Sequence, residues 1–352
     1  MNILQGVGEF FALDVGSNSI RVVQLTGSAR SGWGLVAWGY AQVPVEIIQS
    51  AAPEAKKRLG EAIATVVLQS GIKLKNVAIG IPSNKGWTTV IEVQNQPIKE
   101  LEKVVKYQLD QYVPMSVDDA QVDFAFLGPS PVDATKMEVL IASTAKKYIE
   151  ERMEFIEGLG FNLVGVEPEA IAMARSLAPF GTTDARIAVD FGETSVDIVT
   201  TMSGAPLLVR SIPGGLQYLY QTAATSLGVG EMEARQYILK FGLQQDALDG
   251  KLFKVLGTAL ENLTGELVRS IKYFQQKFND MAIGGVALSG YAGGMPFLSE
   301  YVEAKIGVPT SVGNPWQRVN VPKTMQDKLM PVANEFAVAI GLAERSGRVT
   351  HG

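Results

Sequence analysis

The sequence predicts an α/β protein of two lobes that repeat one fold, with a smaller α/β subdomain inserted between them. Three observations support this prediction. A strand–turn–strand motif occurs twice, the same order of strands and helix surrounds each copy, and the stretch between the copies has a different pattern. The chain has 352 residues, of which 47% are hydrophobic and 19% charged, an ordinary globular composition long enough for more than one core.

The repeated motif has the features of a phosphate-binding turn. Its first copy reads FALDVGSNSIRVVQL and its second IAVDFGETSVDIVTT; each is an apolar strand, a turn with glycine, and a second strand. A lone turn of this kind is more often a simple hairpin. Two that face each other would clamp a polyphosphate, because glycine lets backbone N–H groups approach an anion. The candidate residues are Asp14, Gly16, Ser17, Asn18, Ser19, Asp190, Gly192, Thr194 and Ser195. Of these, Asp14 and Asp190 would hold a hydrated magnesium ion.

The elements around each motif follow one order, β-β-β-α-β. In the first lobe, the apolar pattern predicts strands over residues 10–13, 20–25 and 35–43, a helix over 53–69 and a buried strand over 77–81. In the second lobe it predicts the same order over 187–190, 196–201, 206–212, 216–227 and 286–288. A leucine-rich stripe also predicts one long helix over 256–278. The repeated order indicates a duplicated domain with a cleft between the copies.

The stretch over residues 84–160 predicts the inserted subdomain. It contains strand-like runs over 88–93, 122–127 and 137–142, and one helix with Pro97 in its first turn that Pro114 stops. The apolar stripe of this helix is more typical of a core than of a partner groove. The predicted boundaries are 1–83 for the first lobe, 84–163 for the insert, 164–184 for a connecting helix, 185–319 for the second lobe and 320–352 for the return to the first lobe.

Composition excludes several classes of chemistry. The net charge of −5 does not suit nucleic acid, which favours a basic face. Cysteine is absent and the single histidine is His351, which excludes Ser-His-Asp catalysis and metal sites of thiolate or imidazole. The first residues do not resemble a signal peptide, and no apolar run reaches the roughly 18 residues of a membrane helix. We therefore expect a cytoplasmic protein without direct membrane insertion.

A glycine-rich turn follows the last buried strand, in LSGYAGGMPFLSEYV. Such a turn lets a flat ring lie against the backbone and places amides near a phosphate, although alone it is more often a packing turn. After two phosphate turns it is the expected third element of a nucleotide site. A second glycine pair opens the helix over 216–227, where an adenosine could pass. The candidates of both turns are Gly214, Gly215, Gly290, Gly293, Gly294 and Met295.

Two small-residue helices are predicted to connect the lobes. VEPEAIAMA begins the first with Glu167 and Glu169, and FAVAIGLAE forms the second near the end of the chain. In the second helix, Ala337, Ala339 and Gly341 would permit close approach of another helix at a hinge between the lobes.

Two phosphate motifs, two connecting helices and an adenosine motif, in this order, resemble the actin-type ATPase superfamily. The fold of that superfamily is a duplicated actin-like (ribonuclease H-like) one. Within it, the chain resembles the PilM family of type IV pilus assembly and, more distantly, FtsA. The insert is the sharpest evidence, with matches at Tyr112, Pro114, Asp118, Asp119, Asp123 and Phe124. The resemblance continues through NPW at 314–316 and EFAVAIGLA at 335–343, so it covers essentially the whole chain.

The resemblance implies an ATP-binding scaffold with slow hydrolysis at most. ATP and magnesium would lie between the lobes. The N-terminal cytoplasmic tail of a PilN-type membrane protein would bind beside the insert, recruiting the chain to the inner face of the cytoplasmic membrane. Pilus motor ATPases and a second copy of the chain are further partners to consider. Related chaperone-type ATPases carry a Glu-Pro pair near the attacking water, so Glu167 is the candidate catalytic residue; a plain helix-terminal charge is the alternative.

One part of the family pattern is changed. Relatives carry Glu and Lys in contact with the ribose, where this chain has Arg235 and Ile238, and Leu219 stands where Thr is common. Nucleotide affinity is then weakened, unless Glu231 or Glu233 takes the role. Two alternatives to a scaffold stay open at this stage: a catalytic ATPase or small-molecule kinase, and an FtsA-like filament protein.

Overall fold

The computed structural model describes residues 9–178, 184–279 and 281–345. The single histidine, His351, lies outside the described residues. So do residues 1–8 of the predicted first lobe and residues 346–352 of the predicted return to it. The first lobe begins with three strands, a short and a long helix, and a fourth strand. These are β1 (Phe11–Val15), β2 (Ser19–Ser28), β3 (Gly32–Gln42), α1 (Val45–Gln49), α2 (Pro53–Ser70) and β4 (Asn76–Ile81).

The insert follows β4 and then returns the chain to the first lobe. Its elements are β5 (Gly86–Gln94), α3 (Ile98–Tyr112), β6 (Ala120–Pro129) and β7 (Lys136–Ala145). The return consists of α4 (Lys146–Gly158), β8 (Asn162–Pro168) and α5 (Glu169–Leu177).

The second lobe repeats the first and adds helices. It comprises β9 (Ala185–Phe191), β10 (Ser195–Met202), β11 (Ala205–Pro213), α6 (Leu216–Leu227), α7 (Glu231–Phe241), α8 (Lys251–Ala259), α9 (Glu261–Lys277), β12 (Ile283–Gly290), α10 (Leu298–Ile306) and β13 (Thr310–Val312). The chain then rejoins the first lobe through β14 (Val319–Asn320), α11 (Lys323–Leu329) and α12 (Ala337–Ala343). Short 3₁₀ turns cover Tyr291–Gly294 and Met330–Phe336.

The sheets confirm the duplicated two-lobed fold. The first has the order β14-β3-β2-β1-β4-β8 and the second β11-β10-β9-β12-β13. In each, the first three strands of the repeat pair antiparallel and the next two join in parallel. The carboxyl ends of β1 and β9 therefore occupy equivalent places, which is where the repeated motif puts its turns.

The insert forms its own small core. Its strands pair antiparallel in the order β5-β7-β6, and α3 packs on them. Leu101, Val105 and Leu109 of α3 are buried against Val139 and Ile141 of β7. The prediction that the stripe of this helix belongs to a core is confirmed.

The predicted long helix over 256–278 is wrong in detail. The structure has two helices, α8 and α9, which meet at Leu260. The Thr264 hydroxyl donates to the carbonyls of Leu260 and Glu261, at 3.1 and 3.2 Å. Such a bond from Ser or Thr back to the preceding turn bends helices, which fits a break at Leu260, a position that is neither glycine nor proline. The leucine stripe continues across the break because Leu256, Leu260 and Leu263 are all buried.

The two connecting helices, α5 and α12, cross in close contact. Every residue of α12 is buried, and an ideal Cβ built on Gly341 would lie 1.8 Å from the Ala172 carbonyl oxygen. The Ser176 hydroxyl donates to the Ala337 carbonyl at 2.7 Å. Only glycine allows this backbone approach, so the prediction of a close small-residue crossing is confirmed.

Candidate nucleotide site

The two repeated turns are built alike and face one another. In the first, the Gly16 N–H donates to the Ser19 carbonyl at 2.9 Å; in the second, the Gly192 N–H donates to the Ser195 carbonyl at 3.0 Å. The Ser17 and Thr194 hydroxyls are 2.9 Å apart across the space between the lobes. We call this space the cleft. The structure thus brings together the two turns that the sequence motif predicted would face each other.

A buried guanidinium neutralises the first aspartate. Arg21 Nη1 lies 3.0 Å from Asp14 Oδ2, and Arg21 Nη2 lies 3.0 Å from Glu335 Oε2 and 2.8 Å from Ser19 Oγ. Burial would lower the pKa of Arg21, but Asp14 and Glu335 raise it above its ordinary value. The pKa of Asp14 is also raised, but here burial is the cause: it raises the pKa more than the charge of Arg21 lowers it. Sequence reasoning missed Arg21 and Glu335.

The second aspartate lies in more acidic surroundings. Asp190 accepts a hydrogen bond from Ser289 Oγ at 2.9 Å. In the antiparallel register of β9 and β10, Asp190 lies opposite Asp197. Burial raises the pKa of Asp190 to about 6, partly offset by Arg21. Burial and the charges of Asp14, Asp197 and Asp190 raise the pKa of Glu169 well above its ordinary value. The Arg21 guanidinium, which also binds Glu335, thus interacts with Asp14, Asp190 and Glu169 at once. One cation among four carboxyl groups favours a proton or a further cation there.

These donors suit a hydrated magnesium ion better than a directly bound one. One oxygen of Asp14 is already engaged by Arg21. Within the described ranges, no three His, Cys, Asp or Glu side chains are arranged to hold a metal directly. Mg²⁺ keeps several of its waters in sites that also contain phosphates, so ligation through water remains compatible with Asp14 and Asp190.

The prediction that Glu167 begins a helix is wrong. Glu167 lies in β8, and α5 begins only after Pro168, because the residue before a proline disfavours helical backbone. The Glu167 carboxylate accepts two bonds from Arg175, at 2.6 and 2.9 Å, and Arg175 also donates to the Gly341 carbonyl. Glu167 is therefore tied through Arg175 to the crossing of α5 and α12, whereas Glu169 is the carboxyl that interacts with Asp14 and Asp190.

The glycine turns lie beside the second phosphate turn. Gly290, at φ +68°, would place a Cβ 2.6 Å from the Phe191 carbonyl, and Gly215, at φ +97°, would place one 2.5 Å from the Gly192 carbonyl. Both positions need the left-handed backbone and close approach that glycine permits. A Cβ on Gly293 would meet the Asn334 side chain at 2.0 Å, while Met295 is buried. Gly214, at φ +127°, lies two residues before α6. A Cβ built on Gly294 would meet only the Leu239 side chain, at 3.6 Å, so this position does not require glycine for space.

Of the altered ribose positions, only Arg235 reaches the cleft. Ile238 and Leu219 are buried in the core of the second lobe. Glu231 and Glu233 are exposed, and Glu233 accepts a bond from the Tyr237 hydroxyl. Arg235 donates to Glu193 at 3.1 Å. Sequence reasoning missed Glu193 because nothing in the motif distinguishes a cleft-facing glutamate from an exposed turn residue.

Comparison with known proteins agrees with this geometry. The family model described as type IV pilus assembly protein PilM matches residues 12–347. A solved PilM–PilN type IV pilus biogenesis complex is similar, with 21% identity, 97% of this chain and 99% of that chain covered, and a TM-score of 0.80. The ethanolamine utilization protein EutJ from Carboxydothermus hydrogenoformans has 16% identity, coverages of 97% and 92%, and a TM-score of 0.57. ADP-bound MreB5 of Spiroplasma citri has 11% identity, coverages of 94% and 94%, and a TM-score of 0.56.

These likenesses identify the fold as that of the actin-like ATPases. In the described part of the chain, none of the helices combines the length and the apolar character needed to cross a bilayer.

Proposed function

The chain belongs to the PilM family of type IV pilus assembly proteins, and from this premise we propose that it is an ATP-binding scaffold that captures a membrane protein's tail. The observation that supports nucleotide binding best is the pair of matching turns that face each other across the cleft, with Ser17 opposite Thr194. An ADP-bound relative shares the fold.

ATP fits the cleft by the chemistry of its lining. The two turns offer backbone amides and hydroxyls to phosphate oxygens, and the Gly290–Met295 turn offers a flat surface to the adenosine. Asp14 and Asp190 would hold magnesium through water. When bound, the ion would offset the repulsion between the phosphates and the carboxyl groups. Arg21 already supplies one fixed positive charge there.

We propose binding with slow turnover rather than rapid hydrolysis. The carboxylate that the sequence nominated for catalysis, Glu167, is engaged by Arg175 at the hinge. A carboxylate held in two hydrogen bonds to a guanidinium is not free to orient an attacking water.

Replacing Glu167 with glutamine separates a structural role from a catalytic one. We expect Glu167→Gln to lower the unfolding temperature by roughly 2–6 °C, because it leaves Arg175 without its charged partner. Single-turnover hydrolysis of ATP should stay within about twofold of wild type. The measurements are differential scanning calorimetry and rapid-quench hydrolysis. A loss of hydrolysis beyond about tenfold, with ATP affinity unchanged, would give Glu167 the catalytic role after all.

For the partner, we propose the extended N-terminal tail of a PilN-type membrane protein, bound where the insert meets the first lobe. A solved relative is a PilM–PilN complex. In this chain, α4 covers the first lobe incompletely: Ile156 is its one buried residue, while Tyr148, Arg152 and Phe155 are half-buried. A cavity of about 30 Å³ remains between these three side chains and Pro82. We call this boundary the seam.

The seam runs toward an exposed acidic pair. The Lys146 N–H, at the start of α4, donates to the Asp119 carbonyl at 2.8 Å, so Asp118 and Asp119 lie at the same end of that helix. Both side chains are exposed, and Tyr107 is 85% exposed on the same subdomain. The half-buried rings of Tyr148 and Phe155 and the exposed carboxylates at the end of α4 suit an extended peptide with apolar and basic residues.

Charge reversal of the acidic pair tests this site. We expect Asp118→Lys with Asp119→Lys to weaken capture of a basic tail about five- to tenfold at low salt, and less at high salt because ions screen exposed charges. Affinity for a synthetic tail peptide can be measured by calorimetry. The matched control is the same double substitution, aspartate to lysine, at two exposed positions of the second lobe, Asp246 and Asp249. Equal affinity for both double variants at low salt would contradict a role for the pair.

A further inference from the structure

Glu193 is a buried carboxylate between the two phosphate turns. It belongs to the second turn and is 2% exposed. Its Oε2 accepts a hydrogen bond from Asn18 Nδ2 of the first turn at 2.8 Å, and its Oε1 accepts one from Arg235 Nη1 at 3.1 Å. The Tyr220 hydroxyl interacts with the same carboxylate. One side chain thus joins the first lobe to the second.

The groups around Glu193 come from separate parts of the candidate nucleotide site. Asn18 lies in the first phosphate turn, Tyr220 in the helix after the Gly214–Gly215 pair, and Arg235 in the helix whose family pattern is altered. Tyr291, from the glycine turn after β12, donates its hydroxyl to Asn18 Oδ1. The Arg235 guanidinium lies 5.7 Å from the ring centre of Tyr220 and 5.8 Å from that of Tyr291.

The donors that Glu193 uses are those that a phosphate would use. A guanidinium and a side-chain amide form strong hydrogen bonds to phosphate oxygens as they do to a carboxylate. A polyphosphate entering the cleft would also meet the Glu193 charge in a site largely closed to water, where repulsion is weakly screened. The carboxylate therefore competes with the ligand both for donors and by charge.

We propose that Glu193 is an internal anion that occupies the anion position of the ligand-free cleft and holds the two phosphate turns together. ATP must displace this carboxylate from Asn18 and Arg235 before its phosphates reach the turns. The inference rests on the proposed ATP-binding function and adds an autoinhibitory contact to it. Only molecules in which Glu193 has left the position can bind ATP. The apparent affinity is therefore the intrinsic affinity multiplied by the fraction of such molecules.

The test replaces Glu193 with glutamine, which keeps the shape and removes the charge. We expect the Kd for ATP, measured by calorimetry with magnesium, to fall about tenfold or more. Hydrogen exchange of the ligand-free protein should also become faster at residues 16–19 and 192–195, because the bond between the lobes is weakened. The control is Glu61→Gln, the same change at an exposed position of α2. If Glu193→Gln fails to fold, Asn18→Ala removes the first-lobe partner, and faster exchange of 192–195 is expected.

Each outcome has one meaning. If wild type and Glu193→Gln bind ATP equally, the internal anion is overturned while ATP binding stands. Weaker binding by Glu193→Gln also overturns it and makes Glu193 a ligand contact. If neither protein binds ATP, the proposed function fails. The exchange rates of the two turns then decide: faster exchange supports the contact between the lobes, and unchanged exchange overturns it.

Discussion

Gly341→Ala should destabilise the protein by about 3–5 kcal/mol, a large effect for one methyl group. The added Cβ would lie 1.8 Å from the Ala172 carbonyl oxygen and 2.3 Å from its carbon. These are backbone atoms of α5, so the clash cannot be relieved by rotating a side chain. The two connecting helices would have to separate, and the packing of both lobes against the crossing would be lost with them.

A matched substitution isolates the crossing from helix propensity. Gly158 also lies in a helix, α4, but a Cβ built there meets no atom within 4 Å. Gly158→Ala should therefore be neutral, or stabilising by up to about 1 kcal/mol, because alanine favours helix. Urea denaturation gives both free energies of unfolding. Similar values for the two variants would show that α5 and α12 do not meet as closely as the structure indicates.

Asp190→Ala should abolish most magnesium-dependent ATP binding, lowering affinity by about 100-fold or more. Asp190 is the last residue but one of β9, the strand that leads into the second phosphate turn, and it is one of the two carboxylates proposed to hold the hydrated ion. The substitution should not unfold the protein. Burial raises the pKa of Asp190 to about 6, so its charged form is already disfavoured in the folded state.

Calorimetry with magnesium and with a chelator separates the ion from the nucleotide. The gap between wild type and Asp190→Ala should narrow when magnesium is removed, because the lost interaction passes through the ion. Asp327→Ala, on an exposed turn of α11, is the control. Unchanged affinity for ATP in Asp190→Ala would count against a shared phosphate clamp.

Much of the fold could be predicted because its signals are local. Alternating apolar residues predicted strands that lie within β1, β2 and β4 or overlap them, and the helix predicted over 216–227 matches α6. The two glycine turns predicted the duplication, since a turn that needs glycine is recorded in a few adjacent residues. The fold class and the PilM-family resemblance were confirmed.

The charge pairing of the site could not be predicted in this way. Arg21 and Glu335 are 314 residues apart in the sequence, and folding of the chain places Arg21 Nη2 3.0 Å from Glu335 Oε2. Arg21 follows the buried Ile20 in a strand whose pattern gave no sign that a charge would point into the cleft. Glu167 and Glu169 were nominated together, but the strand-to-helix change at Pro168 sends them to different partners. Long-range pairing of side chains depends on packing that periodicity does not record.

The most direct test of the scaffold proposal is the footprint of the partner tail on the intact chain. Hydrogen exchange would be measured with and without a synthetic N-terminal tail of a PilN-type protein, in the presence of ATP and magnesium. We expect slower exchange along α4, at residues 116–120 and at the exit of β4 near Pro82. Protection confined to the second lobe, or no protection at a saturating tail concentration, would contradict capture of the tail at the seam.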